Sequence, residues 1–370
     1  MTDSVVIAAG GTGGHLVPAL AVAAALEERA PGVRISFVGT TRELDRALIP
    51  AAGYRIHTTS VVPFRRSARG VLAAASMVPA TAQARGILRR EGATVAVGMG
   101  GYPSLPVVAA ARTLRVSALI HEANAVPGLA NEAAARMTKN IAVSFPETLH
   151  SFRGRTPRLV GLPLRDGIVR FDRGALRAEA LESFGLAPDR ATVLIFGGSL
   201  GASRLNEAAI GLAARWNARE DVQMIVVAGR AHDSDVRARI EPGKLTVRVV
   251  PFVERMELAY AAADAALCRA GASTVHELAV VGLPSVLVPL PIARRREQHA
   301  NARMLVGVGA ARLVEDASAT PDVLDPIVSG ILADAGARAR MADAARAVGR
   351  PDAARAMAAW IMSLSEARGA

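Results

Sequence analysis

Two short apolar runs, each ending in closely spaced glycines, constrain the fold of this chain more than any other feature. The first reads VVIAAGGTGGH at residues 5–15, and the second reads VLIFGGSLG at residues 193–201. In each, a strand-like run passes through glycines into a helical pattern, and such a turn brings several backbone N–H groups near one anion. The partial positive charge at the helix N-terminus favours the same kind of ligand. Two such turns predict a chain that handles two phosphorylated ligands.

The first glycine run does not have the pattern of a dinucleotide-binding turn. A nicotinamide-binding chain places an acidic residue at the end of its second strand, where it binds a ribose. This chain has Val38-Gly39-Thr40-Thr41 at that place. A nicotinamide cofactor is therefore not expected.

The composition favours helices packed on parallel sheets. The chain has 370 residues, of which 51% are hydrophobic and 4% are aromatic. That length is sufficient for two domains with a full core each, and the scarcity of aromatic residues argues against an all-β sandwich.

Strand-like and helix-like segments alternate along the chain, which predicts an α/β fold of two Rossmann-like, doubly wound domains. The predicted strands are 4–9, 34–39, 94–98, 117–121, 141–144, 192–196, 222–228, 246–250, 265–268, 285–288 and 311–314. The predicted helices of the first half are 16–29, 71–91, 104–114 and 128–138.

The Pro/Gly-marked segment 161–167 predicts the boundary between the domains. We assign 1–163 to the first domain and 164–350 to the second, and expect the helix at 351–370 to pack on the first. Ligands of such sheets bind beyond the carboxyl ends of the strands, so the two domains are expected to face each other across a cleft.

The positive charge of the chain has two interpretations, anionic ligands or a coding bias toward arginine. Only Lys139 and Lys244 are lysines, so the net charge of +11 comes from arginine. Arginine suits phosphorylated or lipid-headgroup ligands. Nucleic-acid binding is not expected, since the chain has neither a basic patch interleaved with aromatic residues nor a zinc-knuckle spacing.

The single cysteine and the apolar stretches bear on compartment. Cys268 lies in an apolar run, fits a reducing compartment, and is expected to fill core space. The longest apolar stretch, 278–292, is interrupted by glycine and prolines and is too short to span a bilayer. No signal-peptide pattern opens the sequence. These features predict a soluble or peripheral cytoplasmic protein.

At this point the chain resembles the GT-B glycosyltransferases, and within them the peptidoglycan N-acetylglucosaminyltransferases of family 28. The motifs that carry the resemblance are GGTGGH at 10–15, GMGGYPS at 98–104, HEAN at 121–124 with Gly128 and Asn131, GLPLR at 161–165, GGS at 197–199 with Gly201 and Ala202, CRAGASTVHE at 268–277, GLPSVLVP at 282–289, and EQ at 297–298 with Asn301. Two positions depart from the family pattern: Leu200 and Ala123 stand where glutamine is usual.

The resemblance implies a defined reaction. The family transfers GlcNAc from UDP-GlcNAc to the C4 hydroxyl of the MurNAc of an undecaprenyl-pyrophosphoryl muramyl-pentapeptide (lipid I), giving lipid II for peptidoglycan and cell-wall synthesis, and so for cell shape and division. Its N-terminal domain takes the lipid-linked acceptor and its C-terminal domain the nucleotide sugar. The implied location is peripheral, on the cytoplasmic face of the plasma membrane, with cell-wall synthesis proteins as partners.

Two residues are candidates for catalysis. His15 closes the first glycine run at the start of a helix, and by resemblance it is the general base that deprotonates the acceptor hydroxyl during an inverting attack. The alternative is a histidine that bonds only locally. Glu122 is expected to orient that base or to contact the acceptor, with a solvated cap at a strand end as the alternative.

The acceptor side is expected to use backbone N–H groups for the diphosphate and an amide for the sugars, with a plain turn at 100–101 as the alternative. The predicted acceptor-binding residues are Thr12, Gly13, Gly14, Gly100, Gly101, Tyr102, Asn124 and Asn131.

On the donor side, Ser199 and its neighbouring amides are expected to stabilise charge on the departing UDP, and Arg165 to contact phosphate. The resemblance assigns Val253 to uracil, Glu277 to the ribose, and Gln298 with Glu297 to the GlcNAc hydroxyls. The alternative for Glu277 is an ordinary acid in a first helical turn. The predicted run at 272–277 is Ala272, Ser273, Thr274, Val275, His276 and Glu277.

No cofactor and no metal are expected, with UDP-GlcNAc as the co-substrate. Asp233-Ser234-Asp235 has the form of a metal-binding DxD motif, but aspartates at a helix start need no metal to explain them.

The segment 61–72 mixes apolar and basic residues. A solvated loop is one interpretation, and contact with the anionic inner leaflet is the other. A lipid-linked acceptor favours the second, whose predicted contacts are Phe64, Arg65, Arg66, Arg69, Val71 and Leu72.

Three other functions stay open at this stage. The chain could be a UDP-sugar transferase with another lipid or small-molecule acceptor, a UDP-GlcNAc 2-epimerase, or a nucleotide-sugar sensor without turnover. Acceptor exchange, product analysis without acceptor, and substitution of His15 distinguish them.

Overall fold

The structure, a computed structural model, describes residues 3–61, 69–197, 203–291 and 296–369. The chain forms two compact units, one of Met1–Arg165 with Arg350–Ala370 and one of Asp166–Gly349. The chain thus crosses between units within two residues of the boundaries placed by the sequence.

The first unit is built on seven parallel strands. They are β1 (Ser4–Ala8), β2 (Arg34–Gly39), β3 (Arg55–Thr58), β4 (Val95–Gly98), β5 (Ser117–Glu122), β6 (Asn140–Val143) and β7 (Arg158–Leu159). Their order in the sheet is β3-β2-β1-β4-β5-β6-β7. The short strands β3 and β7 at the two edges were not predicted.

Helices cover both faces of this sheet. Those before the crossing are α1 (Gly13–Arg29), α2 (Glu43–Ala51), α3 (Arg69–Arg90), α4 (Ser104–Leu114) and α5 (Leu129–Ala134). Successive side chains of β1 point to opposite faces. Val5 and Ile7 pack in the core with Leu16 of α1, whereas Val6 packs in the core with Val107 of α4. Both faces of β1 are therefore buried, as in doubly wound sheets.

The second unit repeats the scheme with six parallel strands. They are β8 (Ala191–Phe196), β9 (Val222–Val227), β10 (Thr246–Val250), β11 (Ala265–Cys268), β12 (Ser285–Leu287) and β13 (Ala311–Leu313). Their order is β10-β9-β8-β11-β12-β13, and all six match predicted strands. Cys268 is fully buried, as expected.

The helices of the second unit begin directly after the crossing. They are α6 (Asp166–Val169), α7 (Arg173–Phe184), α8 (Ser203–Arg215), α9 (Asp233–Arg239), α10 (Met256–Ala262), α11 (Ala272–Val281), α12 (Glu297–Val306), α13 (Pro321–Ala333) and α14 (Ala335–Val348). No helix in the described parts of either unit is long and apolar enough to cross a bilayer.

The last helix, α15 (Ala353–Gly369), belongs to the first unit. Its residues Met357, Ala358 and Ile361 are fully buried in the core that holds Val5 and Leu16. The last residues of the chain thus complete the sheet face that begins with β1.

Strand order determines where each unit can bind a ligand. In the first sheet the chain leaves β1 toward β2 on one side and later returns to add β4 on the other, and β8 and β11 have the same relation in the second sheet. Ligands of doubly wound sheets bind at the carboxyl ends of the strands at such a reversal. Ligands are therefore expected at the segments that follow β1 and β4 in the first unit and β8 and β11 in the second.

Candidate active site

In the first unit, the two predicted catalytic residues and two of the predicted acceptor-binding glycines lie at the carboxyl ends of three adjacent strands. His15 is in the first turn of α1, which follows β1, while Gly100 and Gly101 follow β4 and Glu122 ends β5. Parallel strands present these ends at one edge of the sheet. The topology therefore gathers residues that are far apart in sequence.

The glycine turn after β1 is shaped by an internal carboxylate. Gly10 and Gly11 both have positive φ angles, +148° and +85°. A Cβ atom on Gly10 would overlap the carboxylate of Asp45, and the Gly11 N–H donates to both Asp45 oxygens at 3.2 Å. Glycine at both positions is therefore required by close approach as well as by φ. Sequence reasoning missed Asp45.

The start of α1 leaves backbone donors available to a ligand. The backbone N–H groups of His15 and Leu16 both donate to Thr12 O at 3.2 Å, and they are the first in this helix to have a carbonyl acceptor. The amides of Gly13 and Gly14 precede them, and helix N-termini leave such donors without intrahelical acceptors. Thr12 and Gly14 are exposed. These amides are suited to an anion.

The imidazole of His15 lies against the loop after β4. A Cβ atom on Gly100 would stand 2.9 Å from His15 Cε1 and Nδ1, and one on Gly101 would stand 3.3 Å from Cδ2. Both glycines have positive φ angles, +91° and +74°. The loop at 100–101 is therefore more than a plain turn, since its missing side chains make room for the histidine.

Burial lowers the pKa of His15 below the ordinary histidine value. The charge of Glu122 and the backbone of Met99 oppose this shift without cancelling it. Within the described structure, His15 Nδ1 is buried without a hydrogen-bond partner. The imidazole is therefore neutral at pH 7, the form that a general base needs.

Glu122 is a buried carboxylate and not a solvated cap, with 2% of its surface exposed. It accepts hydrogen bonds from the backbone N–H of Asn124, the backbone N–H of Gly128 and Asn131 Nδ2, each at 2.9 Å. Three donors compensate for the loss of water around the charge. Asn131 is itself 3% exposed, and its Nδ2 donates both to Glu122 and, at 3.0 Å, to His121 O.

Two further residues shape the loop around the histidine. Ser104, which is fully buried, places its Oγ 2.7 Å from Gly100 O and 3.0 Å from Ala8 O, so it links the loop after β4 to the end of β1. Tyr102 lies beside the glycine turn, because a Cβ atom on Gly11 would stand 3.2 Å from its ring. Ser104 carries no sequence signal beyond its place in the GYPS motif.

In the second unit, the start of α11 places the predicted donor residues after β11. Gly271 is the N-cap, and Ala272 to Glu277 form the first turns. Val275 and His276 are buried, and His276 Nδ1 lies 2.9 Å from Ala272 O within the helix. The His276 side chain therefore supports the helix itself.

Glu277 is held by a tyrosine that sequence reasoning missed. The hydroxyl of Tyr260, on α10, donates to Glu277 Oε2 at 2.7 Å. Tyr260 is 1% exposed and its ring packs edge-on against Phe196 at the end of β8, with centroids 6.1 Å apart.

Burial, with a smaller contribution from the charge of Glu277, raises the pKa of the Cys268 thiol, so this cysteine stays protonated.

A buried arginine joins the loops after β11 and β12. Arg269, 7% exposed, donates from Nη1 to Asp316 Oδ1 at 2.5 Å and to Val288 O at 3.0 Å. Asn301 Nδ2 donates to Ala270 O at 3.3 Å, and Gln298 Oε1 accepts from the Leu290 N–H at 2.9 Å. The side chains of α12 thus organise the backbone at this edge of the sheet.

The remaining predicted residues are placed as follows. Arg165 is exposed at the end of the first unit's main segment, Val253 follows β10, and Glu297 begins α12. Asp233 and Asp235 lie in the first turn of α9, where Asp235 pairs with Arg239 at 3.4 Å. Side chains in the described part of the chain form no group of three or more His, Cys, Asp or Glu suited to a metal.

Several predictions fall outside the described residues or side chains. Ser199 and the glycines beside it lie in the gap before α8, as does Leu200. The predicted membrane contacts Phe64, Arg65 and Arg66 also lie outside the described residues. For Arg69, Val71 and Leu72, at the start of α3, only the backbone is described.

Family models cover most of both units. The glycosyltransferase family 28 N-terminal domain matches residues 5–143, and the glycosyltransferase family 28 C-terminal domain matches residues 192–357. The first match contains β1 to β6, and the second contains β8 to β13.

Curated relatives match over nearly the full length. A Mycolicibacterium vanbaalenii protein is 44% identical over 362 residues, which are 96% of this chain and 88% of the relative. A Streptomyces coelicolor protein is 42% identical over 354 residues, 94% of each chain. Both are named UDP-N-acetylglucosamine--N-acetylmuramyl-(pentapeptide) pyrophosphoryl-undecaprenol N-acetylglucosamine transferase.

Solved structures agree. The crystal structure of Acinetobacter baumannii MurG superposes with a TM-score of 0.79 at 30% identity, covering 98% of this chain and 100% of that one. A UDP-N-acetylglucosamine 2-epimerase superposes with a TM-score of 0.68 at 12% identity, covering 96% and 94%, and this likeness shows the fold alone. With two parallel-sheet α/β domains of the GT-B type and matches to both family domains, this chain belongs to glycosyltransferase family 28.

Proposed function

We propose that this chain transfers GlcNAc from UDP-GlcNAc to the C4 hydroxyl of MurNAc in undecaprenyl-pyrophosphoryl-MurNAc-pentapeptide, converting lipid I to lipid II in peptidoglycan synthesis. The names of relatives at 42–44% identity support this substrate pair. The single observation that carries the proposal is the position of His15 at the start of α1, with its Nδ1 buried and its ring against Gly100 and Gly101, in the same site as the buried carboxylate of Glu122.

His15 acts as the general base. The imidazole takes the proton of the C4 hydroxyl while that oxygen attacks the anomeric carbon of GlcNAc, and the bond from that carbon to the UDP oxygen breaks. The electron pair of the broken bond leaves with UDP, and a single displacement inverts the anomeric centre. The lowered pKa of His15 supports this role, because the base must enter the reaction without a proton.

Glu122 stabilises the protonated imidazole that the reaction creates. Its charge raises the pKa of His15 and so favours proton uptake. The hydrogen bonds from Asn124, Gly128 and Asn131 hold the carboxylate in place. Glu122 and Asn131 are therefore positioning groups in this mechanism, and Asn124 remains the residue of this loop proposed for the acceptor sugars.

The acceptor diphosphate binds the amides at the start of α1. Thr12, Gly13 and Gly14 offer N–H groups there, and Tyr102 borders the same turn. Partial positive charge at the helix start adds to their attraction for an anion. The Gly100 and Gly101 loop contributes by enclosing His15.

The nucleotide sugar binds the carboxyl edge of the second sheet. Glu277, held by Tyr260, accepts hydrogen bonds from the ribose hydroxyls. Val253 contacts uracil through its backbone, and Arg165 and Ser199 bind the diphosphate. Gln298 and Glu297 bind the GlcNAc hydroxyls. The backbone N–H groups of Ala272, Ser273 and Thr274 at the start of α11 bind the same ligand, whereas the Val275 N–H donates to Gly271 O at 3.0 Å.

Charge on the departing UDP is stabilised by arginine and backbone amides, so the reaction needs no metal cofactor.

The acceptor carries a long lipid tail, and the protein binds it peripherally at the anionic cytoplasmic face of the plasma membrane. The arginine excess, with a net charge of +11, supports attraction to that surface.

The test is transfer of labelled GlcNAc from UDP-GlcNAc to a short-chain lipid I analogue, with and without EDTA. We expect a labelled disaccharide product in both conditions, and no epimer when the acceptor is omitted. Turnover that stops with EDTA would refute metal independence. Epimerisation or hydrolysis of UDP-GlcNAc without transfer would refute the acceptor assignment.

A further inference from the structure

Gly11, in the middle of the first glycine turn, is held at both of its backbone polar groups by one segment. Its N–H donates to Asp45, and its carbonyl accepts a hydrogen bond from Arg42 Nη1 at 2.5 Å. Arg42 and Asp45 belong to the connection from β2 into α2. This connection therefore fixes the direction in which the Gly11 peptide groups point.

Asp45 is fully buried, and its charge is met by a small set of donors. Besides the Gly11 N–H, its Oδ2 accepts from the Thr40 N–H at 2.8 Å and from Thr40 Oγ1 at 2.6 Å. Charge-assisted hydrogen bonds of this kind are the stronger ones, and they are directional. The carboxylate thus ties the glycine turn to the end of β2.

The position of this carboxylate separates the turn into two faces. A glycine turn at a helix start normally directs its amides at an anionic ligand. Here the Gly11 amide is already bound to an internal anion, and a second anion at the same point would be repelled. A ligand phosphate is therefore restricted to the amides that follow, at Thr12, Gly13 and Gly14.

We propose that Asp45 is a positioning residue of the acceptor site. By drawing the Gly11 N–H inward, Asp45 orients the next three amides outward, toward the acceptor diphosphate. This inference rests on the proposed function, since it requires a lipid-linked diphosphate as the acceptor. The donor side of the reaction has no part in it.

The experiment compares Asp45→Asn with wild type in the transfer assay, varying acceptor and donor in turn. Asparagine keeps the size of the side chain but presents an NH₂ group to donors that need an acceptor. We expect the KM for the lipid I analogue to rise by about tenfold, as for loss of one charge-assisted hydrogen bond. The KM for UDP-GlcNAc should change by less than about twofold.

One pair of variants and one single variant control for loss of stability. Thr40→Val removes the hydroxyl that donates to Asp45, whereas Thr40→Ser keeps it, so only the valine variant should raise the acceptor KM. Glu43→Gln removes an exposed carboxylate from the same helix and should leave both KM values unchanged. If Asp45→Asn fails to fold, the Thr40 pair still decides.

The outcomes separate this inference from the proposed function. Unchanged acceptor KM values in Asp45→Asn or, should that variant not fold, in Thr40→Val overturn the inference while transfer by wild type stands. A lower melting temperature with an unchanged ratio of the two KM values shows a structural role only, which also overturns it. Absence of transfer in wild type overturns the proposed function, and the inference with it.

Discussion

At the scale of single residues, burial opposes the charge of Glu122 and the backbone of Met99 in determining the pKa of His15. Enclosure by the glycine loop after β4 removes water and lowers the pKa, while the carboxylate of Glu122 raises it. Burial is the larger effect, so the histidine is neutral at physiological pH. In the proposed mechanism, the charge of Glu122 favours the proton that His15 takes up during the reaction.

The pH dependence of transfer tests this balance. Because the base acts without its proton, kcat/KM should fall as the pH drops through the pKa of free His15, which lies below the ordinary value of about 6.5. Glu122→Gln removes the charge that raises this pKa, so the acidic limb should move to lower pH. We expect kcat near pH 7.5 to fall by at least about tenfold, because the imidazolium loses its counter-charge.

Glu147→Gln is the matched control, since that carboxylate is exposed on the same unit and lies outside the site. An acidic limb that stays in place or moves to higher pH in Glu122→Gln would contradict the assignment. The pH profiles of kcat/KM are obtained from initial rates at subsaturating acceptor, and kcat near pH 7.5 is obtained at saturating acceptor.

Sequence motifs could identify His15, Glu122 and their immediate neighbours, but not Asp45. His15 and Glu122 stand in short motifs with glycine or asparagine neighbours that are recognisable as such. Asp45 stands between Arg42 and Arg46 in a helix with mixed charge, which is typical of an exposed face. Its burial depends on contact with a turn more than 30 residues earlier, and no local pattern encodes that contact.

At the scale of secondary-structure elements, α10 and α11 cooperate to present Glu277. The Tyr260 hydroxyl, on α10, fixes one oxygen of the Glu277 carboxylate, on α11. A carboxylate fixed in this way needs no further ordering to bind a ribose, the role that we propose for Glu277. Preorganisation of this kind improves affinity by lowering the entropy cost of binding.

Tyr260→Phe removes only the hydroxyl and so tests this arrangement. We expect the Kd for UDP, measured by calorimetry, to rise by about five- to tenfold, as for loss of one hydrogen bond to a charged group. In a Glu277→Gln background the same substitution should have little further effect, because the two side chains act as a pair.

Tyr54→Phe serves as the control, because Tyr54 makes a similar bond to Glu27 at 3.0 Å in the other unit. If Tyr260→Phe and Tyr54→Phe bind UDP equally well, Tyr260 has no role in donor binding. Fully additive effects of Tyr260→Phe and Glu277→Gln would exclude coupling between them.

Most strands could be predicted from sequence, and the exceptions have a common cause. Buried parallel strands such as β1 and β8 are continuous apolar runs, which makes them easy to recognise. The edge strand β3 has the sequence RIHT with no fully buried residue, and β7 has two residues. Both are edge strands, which have one neighbour and need less apolar surface, so such short sequences resemble loops. The edge strand β10 has the β-branched sequence TVRVV and could therefore be predicted.

At the scale of the whole molecule, the two units repeat one plan. In each unit the sequence carries glycines directly after the first strand, and candidate residues lie at the carboxyl ends of neighbouring strands. This repetition is what the two glycine runs predict, since each run opens one half of the chain. The cleft expected between the units remains a prediction.

The tail helix illustrates what sequence can and cannot provide at this scale. Its periodicity predicts one helix with Ala354, Met357 and Ile361 on one face, and that face is buried in the first unit's core. The periodicity itself does not name the partner, because any apolar surface could cover such a face. The structure shows that this partner is α1.

The most direct test of the central claim is the turnover number of His15→Ala in the transfer assay, with the Kd for UDP-GlcNAc measured on the same samples. We predict that kcat falls by at least about 100-fold, while the Kd stays within about twofold of wild type. His150→Ala, which changes an exposed histidine of the same unit, should leave both values unchanged. A His15→Ala enzyme with wild-type kcat would contradict the account, because the proton would then have to leave by another route.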